Sequence, residues 1–119
     1  MKHSHITSLV AFNANLQLAH WQADTVTNAH KTLGKLYEAM QDLTDSLAEV
    51  ALGKDGNVEF EAEAIQLTPK ANHGELLSAG LAILDAICME LADSVDDDLE
   101  NIVADMRIEI NRTKYLLKV

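Results

Sequence analysis

Four side chains in this sequence have the types and spacing of a metal site: His20, His30, Asp45 and Glu49. Imidazole nitrogen combined with carboxylate oxygen suits divalent iron, zinc or manganese, because such sites discriminate poorly among these ions. Asp45 and Glu49 are four positions apart, so on a helix both carboxylates share one face. Alone, that pair reads more simply as part of a solvated acidic stripe with Glu38 and Asp42. The histidines change the weighing. A single histidine on an apolar face is usually a core residue, but two histidines with two carboxylates make a ligand set. Geometry sets a condition on it. His30 and Asp45 lie about 22 Å apart along one helix at 1.5 Å per residue. They cannot hold one ion within a protomer. Two copies of that helix packed antiparallel about a two-fold axis would bring each His30 to the other copy's Asp45 and Glu49. The charges permit this packing. Lys31, Lys35, Glu38, Asp42, Asp45 and Glu49 run from basic to acidic along one stripe, which is self-complementary as an isologous interface requires. The same stripe would also suit isolated surface ion pairs, each worth about 0–1 kcal/mol.

The elements that position these groups are helices. Leu, Ala, Glu, Lys and Met dominate outside residues 53–74, the stretch that holds Pro69, Gly53, Gly56 and Gly74. Apolar periodicity predicts a first helix over 3–22, with Ile6, Leu9, Asn13, Leu16 and His20 on one stripe beside Trp21. A second helix is expected over 28–52, where Leu33, Leu36, Met40, Leu43, Leu47 and Val50 form a sustained heptad. With that heptad inward, Asp45 and Glu49 face out. Asp24, Thr25, Thr27 and Asn28 are cap-type residues in a short turn, so the first two helices should pack antiparallel. Gly53 and Gly56 are expected to end the second helix.

Between residues 53 and 73 the pattern changes. Val58 to Ala64 alternates apolar and acidic residues with no second strand to pair with, so it is read as an extended crossover covering part of the core. Third and fourth helices follow over 72–93 and 96–117. Leu77, Gly80, Leu84, Ile87 and Leu91 face inward on one, and Leu99, Val103, Met106, Ile110 and Leu117 on the other. The expectation is a single all-α domain over 1–119: a ferritin-like four-helix bundle with one long crossover between the second and third helices.

Composition closes off other classes. Nine Lys+Arg against 19 Asp+Glu give a net charge of −10, which argues against broad nucleic-acid binding. The longest uncharged apolar stretch, Leu76 to Leu84, is far short of the ~20 residues that span a bilayer. The opening MKHSHITSLV lacks a signal-peptide apolar core, and a single cysteine, Cys88, fits a reducing compartment, so a cytoplasmic location is expected. His3 and His5 are expected on a frayed, solvated terminus, His73 at a helix start, and Cys88, Met40, Met89 and Met106 in the core. There is no phosphate-binding glycine loop, nucleophile elbow or Cys-x-x-Cys pair.

The run Leu18-Ala19-His20-Trp21, then His30, then Asp45-x-x-x-Glu49, resembles the Dps branch of the ferritin-like superfamily. Residues 29–37 also resemble small Dps-like proteins encoded by bacteriophages, which would place the chain in a host cytoplasm. The likeness covers residues 16–56. It implies a di-iron ferroxidase site between subunits, with His20 and His30 from one chain and Asp45 and Glu49 from another. It also implies Trp21 as a catalytic neighbour taking up radical equivalents, and Fe(II) oxidation by peroxide or oxygen. A homo-oligomer, up to a twelve-subunit cage that stores iron, is the assembly it implies. Zinc or manganese without redox chemistry suits the same ligands. The sequence departs from the family in three places. The interval from His20 to His30 is shorter, Gly34 stands where typical members carry a carboxylate, and no Lys-rich tail is present for direct DNA binding. Gly34 and the shortened turn motivate an alternative: a non-catalytic helical assembly module, viral in origin, that has lost iron chemistry.

Overall fold

The short turn after Gln22 is closed by Thr27, whose hydroxyl accepts a hydrogen bond from the His30 backbone N–H at 3.3 Å and so caps the next helix. A computed structural model describes residues 1–56 and 60–119. It contains four helices: α1 (His3–Gln22), α2 (Asn28–Asp55), α3 (His73–Leu91) and α4 (Asp97–Leu117). No strand occurs among the described residues. α2 runs past the predicted end at 52. Gly53 continues the helix, and only Gly56, at φ +71°, takes the left-handed conformation that stops it. α3 is shorter than predicted because Asn72 is its cap, accepting from the Glu75 N–H at 3.0 Å, and because the helix ends at Leu91. Acidic Asp97, Asp98 and Glu100 in the first turn of α4 and Lys114 in its last complement the helix dipole.

Each helix packs on two others: α1 on α2 and α3, and α4 on α2 and α3. The end contacts give their directions. The Lys2 N–H donates to Glu90, and His5 pairs with Glu90 at 3.0 Å, so α1 starts where α3 ends. The Asn28 amide donates to the Leu116 carbonyl, and Lys54 pairs with Asp96, so α2 and α4 are also antiparallel. Every neighbouring pair is therefore antiparallel, and α2 and α3 point the same way across a diagonal. That connectivity requires the long crossover, because the chain must return along the bundle before α3 can start. The fold is the expected all-α four-helix bundle. Lys54 lies between Asp98 and Asp96, and their hydrogen bonds push its ammonium up to about 12.

The core is a single cluster. Leu9, Leu16, Leu33, Leu36, Met40, Leu47, Leu77, Leu84, Ile87, Met106 and Ile110 are fully buried along its length. Burying each such side chain contributes about 1.5–3 kcal/mol relative to exposure. Two expectations need correction. Met89 is not a core residue. It is 79% exposed, because the inward stripe of α3 passes through Ile87 and Leu91 on either side of it. The N-terminus is not frayed either: the Met1 amine pairs with Asp55, and both Lys2 and His5 are held by Glu90. Cys88 is half-buried and touches Arg107, which also pairs with Asp85.

Residues 60–68 of the crossover are neither helix nor strand, and Val58 and Glu59, where the alternation begins, lie outside the described residues. The crossover is fastened to α1 by side chains with no sequence signature. Asn15 donates to the Gln66 carbonyl and accepts from the Thr68 N–H at 2.7 Å. Gln22 accepts from the Lys70 N–H at 2.7 Å. Asn15→Ala removes two of these three bonds, each worth about 0.5–1.5 kcal/mol. The expected outcome is a lower melting temperature and faster proteolysis between residues 60 and 72. Unchanged proteolysis would mean that Asn15 does not hold the crossover.

Candidate metal centre

His20 closes α1 and His30 opens α2, and the short turn between them places the two imidazoles face to face. Their centroids are 4.0 Å apart and their planes meet at 27°. Each ring is tied to the other residue's backbone: His20 Nδ1 lies 2.6 Å from the His30 carbonyl oxygen, and His30 Nδ1 lies 2.8 Å from the His20 carbonyl oxygen. The His20 carbonyl is one of the last four of α1, which no intrahelical N–H can reach, so His30 satisfies an otherwise orphaned acceptor. A carbonyl oxygen only accepts, so the proton of each neutral ring sits on Nδ1. Both Nε2 atoms are then left with free lone pairs. This is the arrangement in which histidines bind metals, with the far N–H fixed by a backbone carbonyl that sets tautomer and ring orientation.

The pair lines an open cleft of about 620 Å³ along the outer face of α1 and α2, together with Gly34, Lys31, Lys35 and Glu38. Gly34 has a spatial reason. A β-carbon there would lie 2.6 Å from His20 Cε1 and 2.8 Å from its Nδ1, so the imidazole occupies the room a side chain would need. Tyr37 and Gln41 also line a second cleft, of about 380 Å³, that reaches Asp45. The two clefts thus continue along one face. Beneath the second, Asn13 is 9% exposed and donates to the Thr44 hydroxyl at 3.0 Å, while its Oδ1 has no partner among the described residues.

Of the residues chosen from sequence, the fold brings His20 and His30 together and keeps Asp45 and Glu49 apart from them. Both carboxylates are exposed on the same unbroken helix as His30, on the outer face that the heptad assigns them. Trp21 is 64% exposed and does not line the histidine cleft. Among the described residues, the one group of three or more ligand-type side chains with donor atoms within 4.8 Å of one another is His3, Glu61 and Glu63, at the surface. Among the described residues, the histidine pair therefore has no third ligand from its own chain. Its donor set fits iron, zinc or manganese once oxygen ligands are supplied from outside. Within a protomer the charges oppose a cation, because two lysines and one glutamate border the cleft. Sequence reasoning missed Gly34 as a partner of His20. The available signal was a glycine in mid-helix, four residues after a candidate ligand, in a heptad with no other break.

An all-α four-helix bundle with a histidine pair facing outward between its first two helices is the class that this fold and site define. The chain belongs to DUF5856, a family of unknown function whose model matches residues 20–117, spanning the histidine pair and all of α2, α3 and α4. No curated protein and no solved structure matches it. No helix among the described residues is long and apolar enough to cross a membrane.

Proposed function

We propose that this protein binds Fe(II) at sites shared between two copies of the chain and oxidises it, as a Dps-like member of the ferritin-like superfamily. The observation that carries this reading is the reciprocal pair of Nδ1-to-carbonyl hydrogen bonds, which presents two Nε2 lone pairs on an uncovered helix face. His20 and His30 of one copy and Asp45 and Glu49 of a second form the ligand set. An antiparallel pairing of α2 is the arrangement that unites them, and it sets the Lys31–Lys35 end of one helix against the acidic end of the other. The bound substrate iron gives up one electron per ion, so two Fe(II) reduce one peroxide, with two protons, to two waters. In this reading Trp21, next to His20 in sequence though outside the cleft lining, takes up radical equivalents that escape. Direct DNA binding has no basic segment to rest on. Iron storage follows only if the dimers close into a cage.

A second reading is favoured by the same two bonds. They fasten α1 to α2 without any metal, so the histidines would have a structural role in an assembly module that has lost iron chemistry. An anaerobic Fe(II) titration of the apo-protein separates the two. Bound iron at micromolar protein, followed by oxidation on adding peroxide, is expected. Absence of bound iron overturns the first reading and leaves the second. Bound Zn(II) or Mn(II) with no Fe(II) oxidation would make the site a non-redox one.

A further inference from the structure

We propose that His3, Glu61 and Glu63 form a separate metal site, which takes a borderline divalent ion such as Zn(II) and clips the crossover to the start of α1. Their donor atoms, one imidazole nitrogen and two carboxylate oxygens, all lie within 4.8 Å of one another. None of the three side chains makes an ion pair among the described residues. Two carboxylates are thus brought close with no lysine or arginine paired to either, in a chain of net charge −10. A cation between them removes that repulsion. His3 is well placed to complete the set. On either side of it the Lys2 N–H and the His5 ring bind Glu90, and its own ring sits edge-on to Phe60, with centroids 6.5 Å apart and planes at 78°. The fastenings of the crossover are a second, independent observation. Asn15 and Gln22 hold its later part, at Gln66, Thr68 and Lys70. Among the described residues, no hydrogen bond or ion pair ties residues 60–64 to a helix, yet this is the stretch that carries both glutamates to His3. A bridging ion supplies the missing fastening. One nitrogen with two oxygens suits zinc and its neighbours in the first transition row better than Ca(II) or Mg(II), which take oxygen ligands. Bonds of about 2.0–2.2 Å around a tetrahedral zinc set its ligands about 3.4 Å apart. The unpaired glutamates reach that spacing by rotation about their own side-chain bonds, and water takes the fourth position. His20, His30, Asp45 and Glu49 have no part in this site, so the inference is independent of the iron-site reading.

Chymotryptic cleavage of the Phe60–Glu61 bond reads the clip, because Phe60 is exposed beside the site. Rates are compared with and without Zn(II) for each chain, so differences in basal cleavage cancel. At free Zn(II) ten times the measured Kd, cleavage through the released crossover is expected to slow about tenfold, as an ion that binds only the closed form requires. His3→Ala and the double variant Glu61→Gln/Glu63→Gln should each lose that slowing, whereas His30→Ala should keep it. Both glutamates are exposed, so their replacement by glutamine removes charge without disturbing the core. A zinc titration followed through the imidazole NMR signals locates the ion without any variant: the His3 ring signals are expected to shift. No slowing in the wild-type chain, or undiminished slowing in His3→Ala or in the double variant, would overturn the inference. Slowing lost in His30→Ala but kept in His3→Ala would also overturn it, and would place the ion at the histidine pair.

Discussion

Chains carrying His30→Ala and chains carrying Asp45→Ala are each expected to lose fast Fe(II) oxidation, and a mixture of the two is expected to recover part of it. The reason is the proposed division of ligands between copies. Outer-shell partners of metal ligands are worth about 10–100-fold, and removing a ligand should cost at least the upper end. A mixed dimer has one site lacking both His30 and Asp45, and one site with every ligand. If the copies exchange freely, half the dimers are mixed and half of their sites are whole, so about a quarter of the wild-type rate returns. No arrangement in which one chain supplies all the ligands predicts any recovery. Asp45 is exposed on α2 and has no ion-pair partner among the described residues. Its removal should change stability by no more than about 0.5 kcal/mol. Unimpaired oxidation by Asp45→Ala would sink the shared-site reading. A mixture no more active than its parts, shown to have exchanged subunits, would sink the division between copies.

Gly80→Ala should be the most damaging single-methyl addition in the bundle. Gly80 is buried on α3 against the Phe12 ring of α1, and a β-carbon there would fall 2.9 Å from Phe12 Cε2 and closer to the ring tip. In an exposed helix the same substitution would stabilise by up to about 1 kcal/mol. Here overpacking dominates, at about 1–3 kcal/mol, because the buried Phe12 ring fills the space the new methyl would enter. For a domain of this size that is a fall of about 4–8 °C in melting temperature per kcal/mol. Phe12→Leu shortens the opposing side chain and costs stability by itself. Combined with Gly80→Ala it should recover part of the loss, with a coupling of at least about 0.5 kcal/mol in a double-mutant cycle. Additive effects would mean that the two residues do not limit how closely α1 and α3 approach.

These two positions show where sequence reasoning succeeds and where it stops. The heptad of α2 put Asp45 and Glu49 outside and Leu33, Leu36, Met40 and Leu47 inside, and all are so placed. The start of α2 was legible because Thr27 is a cap-type residue in a short turn, whereas Asn72, read as helical, is the cap of α3. A helix end was also misjudged where a glycine could serve either in the helix or at its end, as at Gly53. The candidate histidines were chosen by type and spacing, but nothing in the spacing says that their rings stack or that each Nδ1 finds the other's carbonyl. Gly34 read as a missing carboxylate. In the folded chain it is the room that His20 occupies. Asn15 and Gln22 looked like ordinary polar positions of α1, yet they hold a crossover more than forty residues downstream.

The four helices, the faces they bury and the one long connection follow from local periodicity and from where glycine, proline and caps interrupt it. The sequence by itself also determined that one protomer cannot unite His30 with Asp45, since a continuous helix sets their separation. That His20 and His30 stack against each other, and that Gly34 leaves room for the His20 ring, is visible in the folded chain alone. Those features depend on which atoms of α1 and α2 come within a few ångströms across a turn, and a period of three and four residues carries no information about contacts between two helices.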